Sequence, residues 1–102
     1  MDKVVGLGKF GCSIAEQLTS YPEYRVYKID SNITERGSLS IGTYKDMEQY
    51  EKSIDDHEIT VYLRSIKPGD EVLVITEGGE PISGALLRIL ATIKDAKVSA
   101  LY

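Results

Sequence analysis

Tryptophan is absent, and phenylalanine, cysteine and histidine occur once each, as Phe10, Cys12 and His57. A lone cysteine closes no internal disulfide, and one cysteine with one histidine cannot furnish the ligand set of a structural zinc site. Disulfide and zinc frameworks are therefore excluded as organisers of the fold. No apolar run reaches the roughly 18 residues that a membrane-spanning helix requires. Met1-Asp2-Lys3 leads straight into a strand-like segment instead of the apolar region of a signal peptide. No membrane partner and a cytoplasmic location are expected. Basic residues are also few: 12 Lys and Arg stand against 16 Asp and Glu, for a net charge of -4, and they are scattered. Affinity for a phosphate backbone comes mainly from clustered cations, so nucleic acid is not an expected partner.

What the chain does have is the rhythm of an α/β domain. Its 102 residues suit one compact domain spanning 1–102, and are too few for a dinucleotide fold plus a substrate domain. A minimal or truncated nucleotide domain is the expectation. Lys3 to Leu7 reads as a buried strand, Gly11 to about Ser20 as a helix with Ile14, Ala15 and Leu18 on one face, and Arg25 to Ile29 as a second strand. Ser31 to Thr43 is polar, contains Gly37 and Gly42, and reads as a loop. Asp46 to Ser53 reads as a short helix. Ile54 to Ile66 fits helical spacing and also strand alternation; helix is preferred because parallel strands need a crossover. Beyond the turn at Pro68-Gly69-Asp70, Val72 to Ile75 has the continuous apolar character of a strand covered on both faces. A helix over Ile82 to Ile93 follows, with Ile82, Leu86, Ile89, Leu90 and Ile93 inward, then a last strand from Val98 to Leu101. The predicted fold is a Rossmann-like three-layer α/β/α domain with a mostly parallel four-stranded sheet in the order second, first, third, fourth.

Chemistry concentrates in two glycine loops. Gly6, Gly8 and Gly11 form a GxGxxG turn between the first strand and its helix, and Asp30 ends the second strand nineteen residues after Gly11. In such a turn the first glycine permits the bend, the second admits a phosphate to the backbone, and the third lets helix and sheet approach closely. An acidic residue at this spacing accepts ribose hydroxyls and disfavours a 2'-phosphate. Lys9 is the one basic side chain inside the turn; it is a candidate phosphate partner, with plain exposure as the alternative. In the second loop Gly78 and Gly79 follow the third strand, and Ser83 and Gly84 open the next helix. Two helix starts at adjacent strand ends would make one electropositive crevice. Cys12 sits where a helix dipole would lower its pKa, yet no base partner is visible and a small buried side chain is the preferred reading. His57 lies among Asp55, Asp56 and Glu58, read as an acidic helix start before a cation site. Thr76 and Ser83 are candidates either for phosphate or for local caps. Tyr44, Tyr50, Tyr62 and Tyr102 supply no regular stacking stripe. No general acid, general base or nucleophile can be named, so no catalytic residue is assigned.

Val74-Ile75-Thr76-Glu77-Gly78-Gly79-Glu80-Pro81-Ile82-Ser83-Gly84-Ala85 resembles the phosphate loop of the tubulin and FtsZ superfamily, where a strand runs into GGGTGSG or GGGTGTG and then a helix. Gly78, Gly79, Ser83, Gly84 and Ala85 match; Glu80, Pro81 and Ile82 depart, and Glu80 sets a carboxylate where the family has glycine. The first loop, from Gly6 to Ser13, is similar to that family's first nucleotide loop. The resemblance implies binding of GTP or GDP, with magnesium accompanying a triphosphate, and function through self-assembly into a homo-oligomer. The family's guanine-binding helix and catalytic acidic loop would lie beyond Tyr102. A second resemblance covers only about thirty residues. Gly6 to Gly11, Ser13-Ile14-Ala15 and Val26 to Asp30 look like the NAD-binding start of regulatory domains of potassium channels and transporters, or of small dehydrogenases. It implies NAD as the cofactor. A structural or interaction domain without a ligand is the remaining alternative.

Overall fold

The computed structural model describes residues 2–101; Met1 and Tyr102 lie outside the described residues. The chain forms β1 (Lys3–Leu7), α1 (Gly8–Leu18), β2 (Arg25–Ser31), β3 (Leu39–Ile41), α2 (Met47–Ser53) and α3 (Asp56–Tyr62). It continues with β4 (Glu71–Ile75), a 3₁₀ turn (Pro81–Ala85), α4 (Leu86–Thr92) and β5 (Lys97–Leu101). All five strands pair in parallel in the order β3-β2-β1-β4-β5. The sheet therefore has one strand more than the sequence pattern indicates. Leu39–Ile41 falls in the segment read as a loop. It contributes only two apolar side chains, and its strand state rests on pairing with Ile29, Asp30 and Ser31.

Packing follows strand alternation. Successive side chains of a strand point to opposite faces, and in β1 Val4 joins Ala15 and Ile75 in one apolar cluster while Val5 and Leu7 join a larger one. The first cluster includes Ile14 and Leu18 of α1. The second gathers Tyr50 of α2, Ile59 of α3, Ile82 and Ala85 of the 3₁₀ turn, and Leu86 and Ile89 of α4. Both faces of the central strands are thus covered, which is why β1 and β4 read as nearly unbroken apolar runs.

Helix ends show the local logic. Asp46 caps α2 by accepting from the Gln49 N–H at 2.9 Å, and Asp55 caps α3 by accepting from the His57 N–H at 2.9 Å. Asp56 pairs with Arg88 of α4 at 2.8 Å, so the acidic group around His57 serves a helix start and an inter-helix contact. The helix expected over Ile82 to Ile93 is divided at Ala85: a 3₁₀ turn opened by Pro81 precedes α4. Ile82, Leu86, Ile89 and Ile93 are buried, as their spacing requires. Among the described residues no helix is long and apolar enough to cross a membrane.

Candidate functional site

From β1 the chain moves outward through β2 and β3, whereas β4 and β5 lie on the other side of β1. The order reverses between β1 and β4, and in open parallel sheets ligands lie beside the carboxyl ends of strands at such a reversal. The GxGxxG turn leaves β1 at this point. Gly8 has φ +79°, a conformation that strains any residue bearing a Cβ. Gly11 lets α1 lie directly on β4, since a Cβ there would stand 2.1 Å from the Ile75 carbonyl oxygen. Gly6 serves the same contact from the strand side, a Cβ on it falling 2.5 Å from the Gly11 carbonyl oxygen. α1 starts at Gly8, three residues before the expected Gly11, so the turn is already helical where it would meet a ligand.

Two cavities open beside this turn and share Lys9, Asp30, Ser31 and Asn32 in their linings. The larger, of about 600 Å³, extends along α1 past Ser13 and Gln17. The smaller, of about 370 Å³, runs toward Tyr44, Tyr50 and Glu80. Asp30 is half-buried, and its Oδ1 accepts from the Ser31 N–H at 2.8 Å. Burial raises the Asp30 carboxyl above its ordinary pKa; the Ser31 N–H opposes that shift, and the Glu80 charge adds to it. Lys9 is exposed and makes no ion pair among the described residues. Lys28 turns to Glu16 and Glu35 and is mostly buried between them.

Part of the floor has no glycine or charge pattern to mark it in the sequence. Asn32 adopts φ 57°, and its Nδ2 donates to Thr43 Oγ1 at 3.1 Å. The Ser31 and Tyr50 hydroxyls are 2.8 Å apart. A polar triplet Asp30-Ser31-Asn32 ending at a left-handed residue is the available signal, because asparagine tolerates that conformation better than most side chains.

The second glycine loop is put to other uses. Ser83 Oγ donates to the carbonyls of Gly78 at 3.3 Å and Glu80 at 2.7 Å, holding its own turn closed. Gly84 lies against α2, where a Cβ would come within 2.0 Å of the Met47 carbonyl oxygen. Gly79 faces open space. Thr76 is fully buried, and its hydroxyl has no partner among the described residues. Cys12 is buried, with its thiol directed at the carbonyls of Gly6 and Ile29, each at 3.5 Å. Burial, with the nearby Asp30 charge adding to it, pushes that thiol up to about 11, the reverse of helix-dipole activation.

Glu80 connects the two loops. Its Oε1 accepts from the Phe10 N–H at 3.2 Å, and its Oε2 stands 2.7 Å from where a Gly8 Cβ would be. The residues brought together at the crevice are thus Gly8, Lys9, Asp30 and Glu80. Cys12 borders the larger cavity with its thiol turned to backbone carbonyls, Gly6 and Gly11 lie beneath as packing elements, and Gly84 is withdrawn against α2. Comparison with protein-family models, with curated proteins and with solved structures finds no match.

Proposed function

We propose that the chain is a nucleotide-binding module whose ligand lies across the β1–α1 turn. Its phosphates would meet the free N–H groups at the start of α1 while Asp30 accepts from ribose hydroxyls. The observation that carries this reading is the meeting of both cavities at Lys9 and Asp30, beside a turn whose Gly8 has positive φ. Strand order and apolar clusters on both faces support a three-layer Rossmann-like domain as its frame. Lys9, exposed, in no ion pair among the described residues and close enough for its charge to act on Asp30, would neutralise phosphate.

Two ligands follow from the two resemblances. The tubulin- and FtsZ-like reading takes GTP or GDP with magnesium and acts through self-assembly. The regulatory-domain reading takes NAD. The use of Gly78, Ser83 and Gly84 in local hydrogen bonding and packing favours the dinucleotide, because it leaves only Gly79 of the second loop open to a triphosphate. A nucleotide ligand fits a cytoplasmic setting. No side chain at the crevice forms a nucleophile–base pair, and the reading is of binding without an assigned reaction.

Calorimetric titration with NAD, GTP and ATP, with and without magnesium, tests the proposal. Magnesium-independent NAD binding is the expected result. Preference for GTP with nucleotide-dependent assembly supports the tubulin-like reading instead. Absence of heat with every nucleotide at millimolar concentration refutes both.

A further inference from the structure

Resting on the nucleotide reading, we propose that Glu80 is a built-in competitor for the phosphate position, so that the resting domain closes its own site and a ligand enters as this side chain turns away.

α1 lacks the usual stabilising groups at its start. Its N-cap position is Leu7, which has no capping oxygen, and its first turn carries no acidic residue. Helices leave their first N–H groups unpaired and favour negative charge there. A carboxylate seventy residues away in sequence supplies what α1 lacks, bonding to the Phe10 N–H. Its second oxygen fills the space over Gly8 that the missing side chain leaves open. The glycine that would let a phosphate approach the backbone is thus the one that lets Glu80 approach it. A carboxylate and a phosphate offer the same acceptor chemistry and the same sign of charge, so they cannot share this position without strong repulsion.

The means of release is also visible. The Glu80 backbone is held at both ends, its N–H donating to the Glu77 carbonyl at 3.1 Å and its carbonyl accepting from the Ser83 N–H at 3.0 Å and the Ser83 hydroxyl at 2.7 Å. Pro81 follows directly, and Ile82 is buried in the larger apolar cluster. With the loop anchored, clearing the site requires rotation of one side chain and no opening of the chain. What is lost on release is one charge-assisted hydrogen bond at a partly solvated position. Glu80 should therefore weaken an anionic ligand by about tenfold without excluding it.

The test compares the wild-type chain with E80A and with E80Q, which keeps size and acceptor but not charge. Two readouts are needed: the Phe10 amide signal in the ligand-free protein, and calorimetric affinity for NAD, magnesium-GTP and pyrophosphate. The expected result is a displaced Phe10 signal in E80A, with affinity about tenfold above wild type in E80A and a smaller gain in E80Q. A displaced Phe10 signal with unchanged affinity overturns the competitor role and leaves the nucleotide reading intact. An unmoved Phe10 signal overturns the contact itself. Failure of all three chains to bind any probe at millimolar concentration removes the nucleotide reading and this inference with it. E80Q keeps the comparison decisive if E80A folds poorly.

Discussion

Replacing Gly11 with alanine tests why the third glycine of the turn is there, independently of any ligand. The new Cβ would stand 2.1 Å from the Ile75 carbonyl oxygen, more than an ångström inside ordinary contact. That oxygen belongs to β4, which pairs with β1 on one side and β5 on the other, so it cannot yield as a side chain would. Relief requires α1 to move off the sheet, which loosens Ala15 from Val4 and Ile75. Overpacking of this kind costs about 1–3 kcal/mol. A rigid backbone obstacle places it at the upper end, and alanine's better helix propensity returns roughly 1 kcal/mol. The net loss is about 2 kcal/mol, equivalent to a fall in Tm of about 10 °C for a domain of this size. Gly79→Ala is the control: nothing lies within 4 Å of its Cβ and its φ is not positive, so its stability should stay within about 0.5 kcal/mol of wild type. Urea unfolding of both variants gives the answer, as a midpoint shift at constant slope. A G11A midpoint matching that of G79A would refute the claim that α1 and β4 meet backbone to backbone.

Asp30→Asn should raise Tm at neutral pH while weakening nucleotide binding about tenfold. The folded carboxyl has a raised pKa, so the ionised form is disfavoured in the native state above that pKa, whereas a ribose would lose its charged acceptor. A calorimetric scan paired with titration reads both, and a fall in Tm with unchanged affinity would contradict the assignment. For Cys12, whose thiol is raised from 9.0 to about 11, the stabilising contribution is complete below pH 9 and is lost as pH rises through 11. Alkylation should accordingly be slow in the native protein at pH 8 and fast in urea, and C12A should flatten the alkaline fall in stability. Lys3 and Asp70 meet at 2.7 Å, and this hydrogen bond, with a second from the Lys67 N–H, lowers the Asp70 pKa. Its contribution is present above the ordinary carboxylate pKa and disappears as pH falls through the depressed value. D70N should therefore show a shallower acid-unfolding slope than wild type in a pH series of melts.

Patterns that depend on burial were legible in the sequence. β1 was expected over Lys3 to Leu7 and lies there, and the inward set of the last helix follows its apolar spacing. Where neighbouring strands decide the outcome, the sequence was mute. Ser40 and its neighbours form a strand only because Asp30 and its neighbours pair with them, and the same pairing carries β2 two residues beyond Ile29. Three-dimensional contacts also settled the uses of glycine. Gly84 and Gly79 look alike in the loop, yet one touches the Met47 backbone and the other touches nothing. The Glu80 charge was visible as a departure from a phosphate-loop pattern. Its bond to Phe10, reaching across the junction of β1 and β4, required the fold.

The most direct test of a ligand across the β1–α1 turn is an amide-resolved NMR titration of the whole chain with NAD and, separately, with magnesium-GTP. The amide signals of Gly8, Lys9 and Phe10 should move together with those of Asp30 and Ser31, along one saturable curve, while Gly84 and the exposed β5 residues stay fixed. A spectrum unchanged at millimolar nucleotide, or changes confined to residues away from Lys9 and Asp30, would contradict the account.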